Sequence, residues 1–404
     1  RHLIRRTRGC PSGVNTSTRT DLESRSAMQV IHRSTIYDAT QQHASRRVAS
    51  MDGLLSLQSG TWLSGFTVGP QKNHPTGTLQ LSRSRDHGRN WSLVPFQFDS
   101  TLNGVPGSLS AGDMVEAEPG RLLIVTTWFD RSDPDRPLFD PQTEGILRSR
   151  LLLAESTDEG DSWTAWREVP TPGLTGCALT GPIAQWSDGT LGLAFESFKE
   201  FDDPTPVQPA AWMLRSRDHG ATFGDLFRVA QNPQNNVYYW DQRLCAGDTS
   251  GEFVAMFWTH DRASQRDLRV HLLRGSCHNH DCSGSQPVET TIPGQIAAPL
   301  ILEDGRILGF VVDRDRPGTM RLWQSADGGH TWPVAESLVV HQHEEQAALT
   351  QGSSDIDFAG FWEDMGRWSF GHPAIRRCSS ATVLVSWYAG TPDCMSVHAA
   401  EITV

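Results

Sequence analysis

The chain has 404 residues and a formal net charge of −12, from 35 Lys and Arg against 47 Asp and Glu. That balance leaves no basic stripe for nucleic acid or an anionic membrane surface, and no apolar run reaches the roughly 18 residues a bilayer span needs. With 36 Gly and 23 Pro the composition fits many short strands joined by many turns, and most of the 14 Trp are expected in the core.

Residues 1–27 hold six Arg among Ser, Thr and Gly with no apolar stretch. They contain no recognisable signal peptide and read as a disordered leader, or an upstream remnant, ahead of one domain over 28–404. A strand from Met28 to Tyr37 is expected to pair with the last strand, from Met395 to Val404, and so remove exposed sheet edges.

Between these ends one octapeptide pattern, Ser-x-Asp-x-Gly-x-x-aromatic, occurs four times, at 84–91, 156–163, 216–223 and 325–332. The Asp can accept backbone N–H groups, the Gly can take positive φ, and the aromatic can lock the turn against its neighbouring strand. Each copy reads as a hairpin turn, and the repetition marks a repeat architecture. A second series supports this. Asp52-Gly53, Pro119-Gly120, Asp188-Gly189, Ser250-Gly251, Asp304-Gly305 and Ser379-Ser380 each precede an apolar strand. These are read as turns between the first and second strands of six successive units. In the fourth unit the octapeptide gives way to 274–282, which carries Cys277, His278, His280 and Cys282. That spacing fits a hairpin cross-link or surface loop better than a zinc site.

The octapeptide resembles the Asp-box of the sialidase superfamily, whose members are six-bladed β-propellers. The resemblance implies an all-β, six-bladed fold over 28–404, with the four box Asp residues in structural roles. It also implies a glycoside hydrolase with a site at the mouth of the central channel. Sialidases of this superfamily bind a carboxylate with three Arg and use a Tyr assisted by Glu, with an Asp as acid/base. At the place of the first Arg, nine residues before Asp52, this chain has His43, and the loop 68–74 that should carry the acid has His74 and no carboxylate. No Tyr lies between Tyr239 and Tyr388, so the nucleophile has no clear match. Runs such as Tyr-Trp-Asp-Gln-Arg at 239–243 and Trp-Tyr-Ala-Gly at 387–390 look like those of bacterial proteins grouped as sialidase family.

Long connections at 129–148, 197–211 and 340–370 are expected to meet over the channel mouth. Residues 361–373 are the densest cluster, with Asp364, Arg367 and His372 singled out, since sugar sites need acids for proton transfer beside flat rings. On the first strand of unit four, Tyr239, Asp241 and Arg243 should share one face by two-residue alternation, with Trp240 beside them. Polar residues end several second strands: Asp130 and Arg131, Glu196, His260, Asp313 and Arg314, and Tyr388. His341, His343, Glu344 and Glu345 show no recognised ligand arrangement, so neither metal nor cofactor is expected. Seven Cys at irregular spacing do not form a disulfide framework, and they leave the compartment open, as the oligomeric state is.

The expectation is an exo-type glycoside hydrolase acting on a sialic-acid-like or other acidic glycan. Asp241 or Glu196 would act as base or nucleophile, Asp364 as acid, and His372 with them. His43, Arg243, Arg314, Arg367, Trp240 and Tyr388 would bind substrate. The alternatives are a polysaccharide lyase or His-dependent glycosidase, with His43 and His74 facing one pocket, or a carbohydrate-binding propeller without catalysis.

Overall fold

The computed structural model describes residues 27–278, 281–282, 286–315, 317–343 and 365–404. Among these the strands form five hydrogen-bonded sheets. Four are antiparallel meanders whose first strands are Gly107–Glu118, Cys177–Leu179, Val237–Ala246 and Ala297–Ile301. The fifth is two meanders in one. Phe370–Arg377, Thr382–Thr391 and Cys394–Thr403 meet Val48–Ser56, Trp62–Gly69, Thr78–Ser84 and Ser92–Leu93 through a single parallel bridge, Val48 to Met395. Gln29–Tyr37 adds to Cys394–Thr403 in antiparallel register, with Gln29 opposite Thr403, as the sequence implied. No helix among the described residues is long and apolar enough to cross a membrane.

First strands pack on first strands. Val48–Ser56 lies against Gly107–Glu118, Val237–Ala246 against Ala297–Ile301, and Phe370–Arg377 against both Ala297–Ile301 and Val48–Ser56. Residues from all of them converge on one small cavity lined by Asp52, Asp113, Pro182, Arg243, Pro299 and Arg376. This convergence is what brings distant parts of the chain into one site.

The four octapeptides share one hydrogen-bond scheme. The Ser hydroxyl donates to the Asp carboxylate at 2.8 Å in every copy. The same carboxylate accepts the N–H four residues on at 2.8–2.9 Å. The motif Gly takes φ of 81°, 86°, 84° and 93°, and packs on the preceding meander: Gly160 on Leu63, Gly220 on Leu123 and Gly329 on Leu272. Gly88 of the first meander packs on Leu384 of the last, so the series returns on itself. A Cβ at Gly220 would collide with Leu123 in a left-handed conformation. Gly220→Ala should therefore destabilise the fold by about 1–3 kcal/mol, read as a lower urea midpoint, with activity per folded molecule unchanged.

One sequence reading needs correction. Gly120, Gly189, Gly251 and Gly305 do sit at positive-φ turns between strands, but Asp52-Gly53 lies inside Val48–Ser56, and that hairpin turns at Gly60 instead. Asp52 is wholly buried, and its carboxylate accepts the Ser386 hydroxyl at 2.5 Å, which a surface turn would not allow. Cys277 is disulfide-bonded and stands opposite Cys282 in the ladder, where the fourth meander departs from the octapeptide.

Candidate functional site

Four first strands lose register at one equivalent place, between Ser50 and Gly53, Ser110 and Asp113, Trp240 and Arg243, and Gly371 and Ala374. In each gap one non-Gly residue takes positive φ: Met51 at 56°, Ala111 at 64°, Asp241 at 48° and His372 at 55°. Such a bulge re-aims side chains, and left-handed backbone costs roughly 1–2 kcal/mol per residue. Asp241 and His372 thus occupy the same position in two different meanders. The bulge also breaks the expected alternation. Tyr239 packs on Phe257 and His271, whereas Asp241 and Arg243 form an ion pair at 3.5 Å.

The bulge at Asp241 is clamped by the neighbouring sheet. The Asp241 N–H donates to the carboxylate of Glu196, and the Gln242 amide donates to Phe195 O at 2.8 Å and Trp212 O at 2.7 Å. Burial and the Asp241 charge beside it hold the Glu196 carboxyl well above the usual carboxylate range. Asp241 is raised by burial against the pull of Arg243, Arg314 and Lys72, yet 29% of its side chain stays exposed. Two carboxyls this close resist ionising together, so the pair retains a proton to higher pH than isolated acids would. Arg243, 1% exposed, lies beneath them.

Opposite stands a cationic group. The Arg314 guanidinium lies 4.0 Å over the Trp368 ring and hydrogen-bonds Tyr388, while its backbone N–H donates to Gln295 at 2.9 Å. Lys72, buried, reaches from the loop after Trp62–Gly69 and donates to Tyr388 Oη at 2.9 Å and Trp368 O at 3.4 Å. Burial lowers its pKa, and among the described residues no carboxylate lies within ion-pair distance of it. Lys and Arg only donate, so Tyr388 Oη accepts from both and keeps its own proton. A Cβ at Gly371 would sit 2.7 Å from Arg314 Nη2 and 3.2 Å from Tyr388 Oη, so only Gly fits there.

His372 is buried and its Nδ1 lies 2.9 Å from the backbone carbonyl of Asp52. Burial, then Arg243, hold its pKa well below the ordinary value, so the ring is neutral. The proton must then be on Nδ1, donating to that carbonyl, and Nε2 carries the lone pair. Beneath it, burial pushes Asp52 up to about 7 and Asp113 up to about 6.

The structure thus brings Asp241, Glu196, Arg243, Arg314, Tyr388 and His372 to one place. Trp240 is near them but buried, stacked on His260 at 5.3 Å and edge-on to Trp258 at 5.1 Å. His43 is exposed and caps a single turn through Ser45, and His74 likewise bonds its own loop at Thr76. Arg367 is exposed, and Asp364, residues 1–26, His280, Glu344 and Glu345 lie outside the described residues. No group of three or more metal-ligating side chains is found among the described residues. Sequence reasoning missed Lys72, Asp52 and Asp113. For Lys72 a signal existed: it lies in the loop where the resemblance sought a carboxylate.

No protein-family model matches the chain. A sialidase of Bacteroides fragilis is 30% identical over 188 residues, covering 42% of this chain and 33% of the relative, so the match spans a third of that protein's length. Among solved structures, a protein of unknown function from Dyadobacter fermentans matches with a TM-score of 0.69 at 16% identity, over 94% of this chain and 99% of its own. A Hadza microbial sialidase matches with a TM-score of 0.62 at 17% identity, over 91% and 68%. An α-L-arabinofuranosidase of Fusarium graminearum, solved with an iminosugar inhibitor, gives 0.60 at 12% identity, over 93% and 98%. At these identities the structures speak to the fold. The chain has a sialidase-like, all-β fold and resembles the sialidase superfamily.

Proposed function

We propose that the meanders are the six blades of a propeller and that the well at their meeting point is the active site of an exo-type glycoside hydrolase for an acidic sugar. The sialidase and arabinofuranosidase likenesses support glycosidase chemistry on this scaffold. The observation that carries the acidic substrate is Lys72, a buried ammonium beside Arg314 with no carboxylate partner among the described residues. Burial disfavours its charged form and Asp241 offsets that only from beyond ion-pair distance, so a ligand carboxylate would compensate it further. Asp241, partly exposed and flanked by cations, acts as base or nucleophile at the anomeric centre. Glu196 positions it through the bulge N–H. Tyr388 offers its O–H to a substrate oxygen.

A screen of 4-methylumbelliferyl glycosides tests this, with α-sialoside and β-glucuronide beside neutral hexosides and an arabinofuranoside. An acidic glycoside should be cleaved, and Lys72→Met should raise KM for it by roughly 10- to 100-fold with a smaller change in kcat. Turnover of neutral glycosides alone, indifferent to Lys72→Met, would remove the reading. Neutral His372 with a free Nε2 favours one rival, a His-base lyase, and an unsaturated product seen by ultraviolet absorbance would reveal it.

A further inference from the structure

Of the 35 Lys and Arg side chains only two are Lys, at 72 and 199, and both are buried. Lys72 stands in the connection between Trp62–Gly69 and Thr78–Ser84, so its ammonium is placed only as well as that backbone is held. Towards the last meander the ammonium itself makes the contacts, to Tyr388 and the Trp368 carbonyl. Towards the second meander the backbone is tied instead. The Leu109 N–H donates to Gly77 O at 3.0 Å. Arg131, the residue after Arg121–Asp130, donates through Nη2 to the Asn73 carbonyl at 2.9 Å and through Nε to the Ser108 hydroxyl at 2.9 Å. Asn73 adjoins Lys72 and takes φ of 57°, a left-handed kink whose carbonyl Arg131 holds in one direction.

Arg131 is costly for a simple brace. It is 4% exposed, it forms no ion pair among the described residues, and burial alone pushes it down to about 10. A buried guanidinium without an acid costs stability that a neutral side chain would not. What Arg offers in return is a rigid planar fork, which fixes a direction where a single donor would swivel. Its own N–H donates to Pro106 O at 2.9 Å, so the fork starts from a fixed point. We propose that Arg131 is a positioning residue: it aims the Lys72 ammonium into the well, and so sets the preference for an acidic sugar without touching the sugar. The link to an acidic sugar rests on the reading of the well given above. A cation aimed before the ligand arrives needs no reordering when it binds.

Two readouts on the full chain test this in Arg131→Met, with Ser108→Ala, which removes only the Nε partner, as the milder second variant. The first needs no turnover. Acetylation by an N-hydroxysuccinimide ester, followed by peptide mass spectrometry, reads Lys72 against Lys199 as the internal reference. Lys72 should react about threefold faster or more in Arg131→Met, and less so in Ser108→Ala, with Lys199 unchanged. The second readout is kinetic. On the acidic glycoside that is cleaved, Arg131→Met should raise KM roughly 3- to 30-fold with kcat within about twofold, and add less than about twofold to Lys72→Met. Arg131→Lys, which keeps the charge but not the fork, should recover part of the loss in KM. Unchanged Lys72 acetylation in both variants overturns the proposal. Equal acceleration at Lys72 and Lys199 also overturns it, because a general brace of the fold would give that result, as does a KM loss that adds fully to that of Lys72→Met. The two readings fail separately. Faster Lys72 acetylation with no acidic glycoside cleaved supports the placement by Arg131 and removes the activity. An acidic glycoside whose KM depends on Lys72 but not on Arg131 spares the activity and overturns the proposal.

Discussion

Asp241→Asn should lower kcat on the cleaved aryl glycoside by about 10²–10⁴-fold while leaving the fold and KM nearly unchanged. The substitution isolates chemistry from geometry. Asp241 sits at φ 48°, a conformation that Asn tolerates at least as well as Asp, so the bulge survives. Its N–H still donates to Glu196, because that contact uses the backbone. What disappears is the ionisable carboxylate in a well where Arg243, Arg314 and Lys72 favour its charged form. Glu196→Gln acts at one remove: it keeps an oxygen for the Asp241 N–H and resembles the protonated Glu196 that the Asp241 charge favours. The acid limb of the rate–pH profile, which reports Asp241 losing its proton, should then keep its place, because Glu196 is still protonated when Asp241 ionises. Retention of more than a tenth of the activity by Asp241→Asn, with normal circular dichroism, would reject Asp241 as the reacting group.

The architecture was legible because its signals are local and repeated. Ser-x-Asp-x-Gly-x-x-aromatic fixes its own turn within eight residues, and no distant contact is needed to recognise it. Asp52-Gly53 shows where local signals mislead. Asp-Gly marks backbone that leaves the regular ladder, and in Val48–Ser56 that departure is a bulge after Met51 instead of a turn. Asp241 and Arg243 could be picked out because ionisable residues in an inner strand have no apolar reason to be there, and His372 because it stands in the dense cluster of acids, bases and rings at 361–373. Alternation then failed at Tyr239, because one extra residue in the ladder reverses every side chain beyond it. Asp113 carries no sequence mark of its own, and Lys72 only its place in the loop where a carboxylate was sought. Their role exists only because separate loops and strands meet, and period and spacing do not encode that meeting.

Asp52→Asn should change how stability depends on pH more than any substitution on the surface. Asp52 is fully buried, one carboxylate oxygen accepts from Ser386, and the other has no partner among the described residues. Its pKa, 3.8 when unfolded, rises to about 7 in the fold, chiefly by burial. Between those values the native state binds a proton that the unfolded chain has released, so this term is full below pH 3.8 and is lost as pH rises through about 7. A gap of this size corresponds to roughly 4 kcal/mol. Asp113, raised to about 6, works in the same direction over a narrower window. His372, held well below its ordinary 6.5, works in the opposite direction, so the whole-protein curve mixes the terms. The difference between variant and parent isolates Asp52. Asn keeps an oxygen for Ser386 and removes the ionisation, and the Asp52 carbonyl still holds His372. Urea unfolding at several pH values from 5 to 8 should show the parent losing stability relative to Asp52→Asn as pH rises, with most of the divergence by pH 7. Parallel curves would mean that Asp52 is ionised in the native protein, compensated by Arg243 after all.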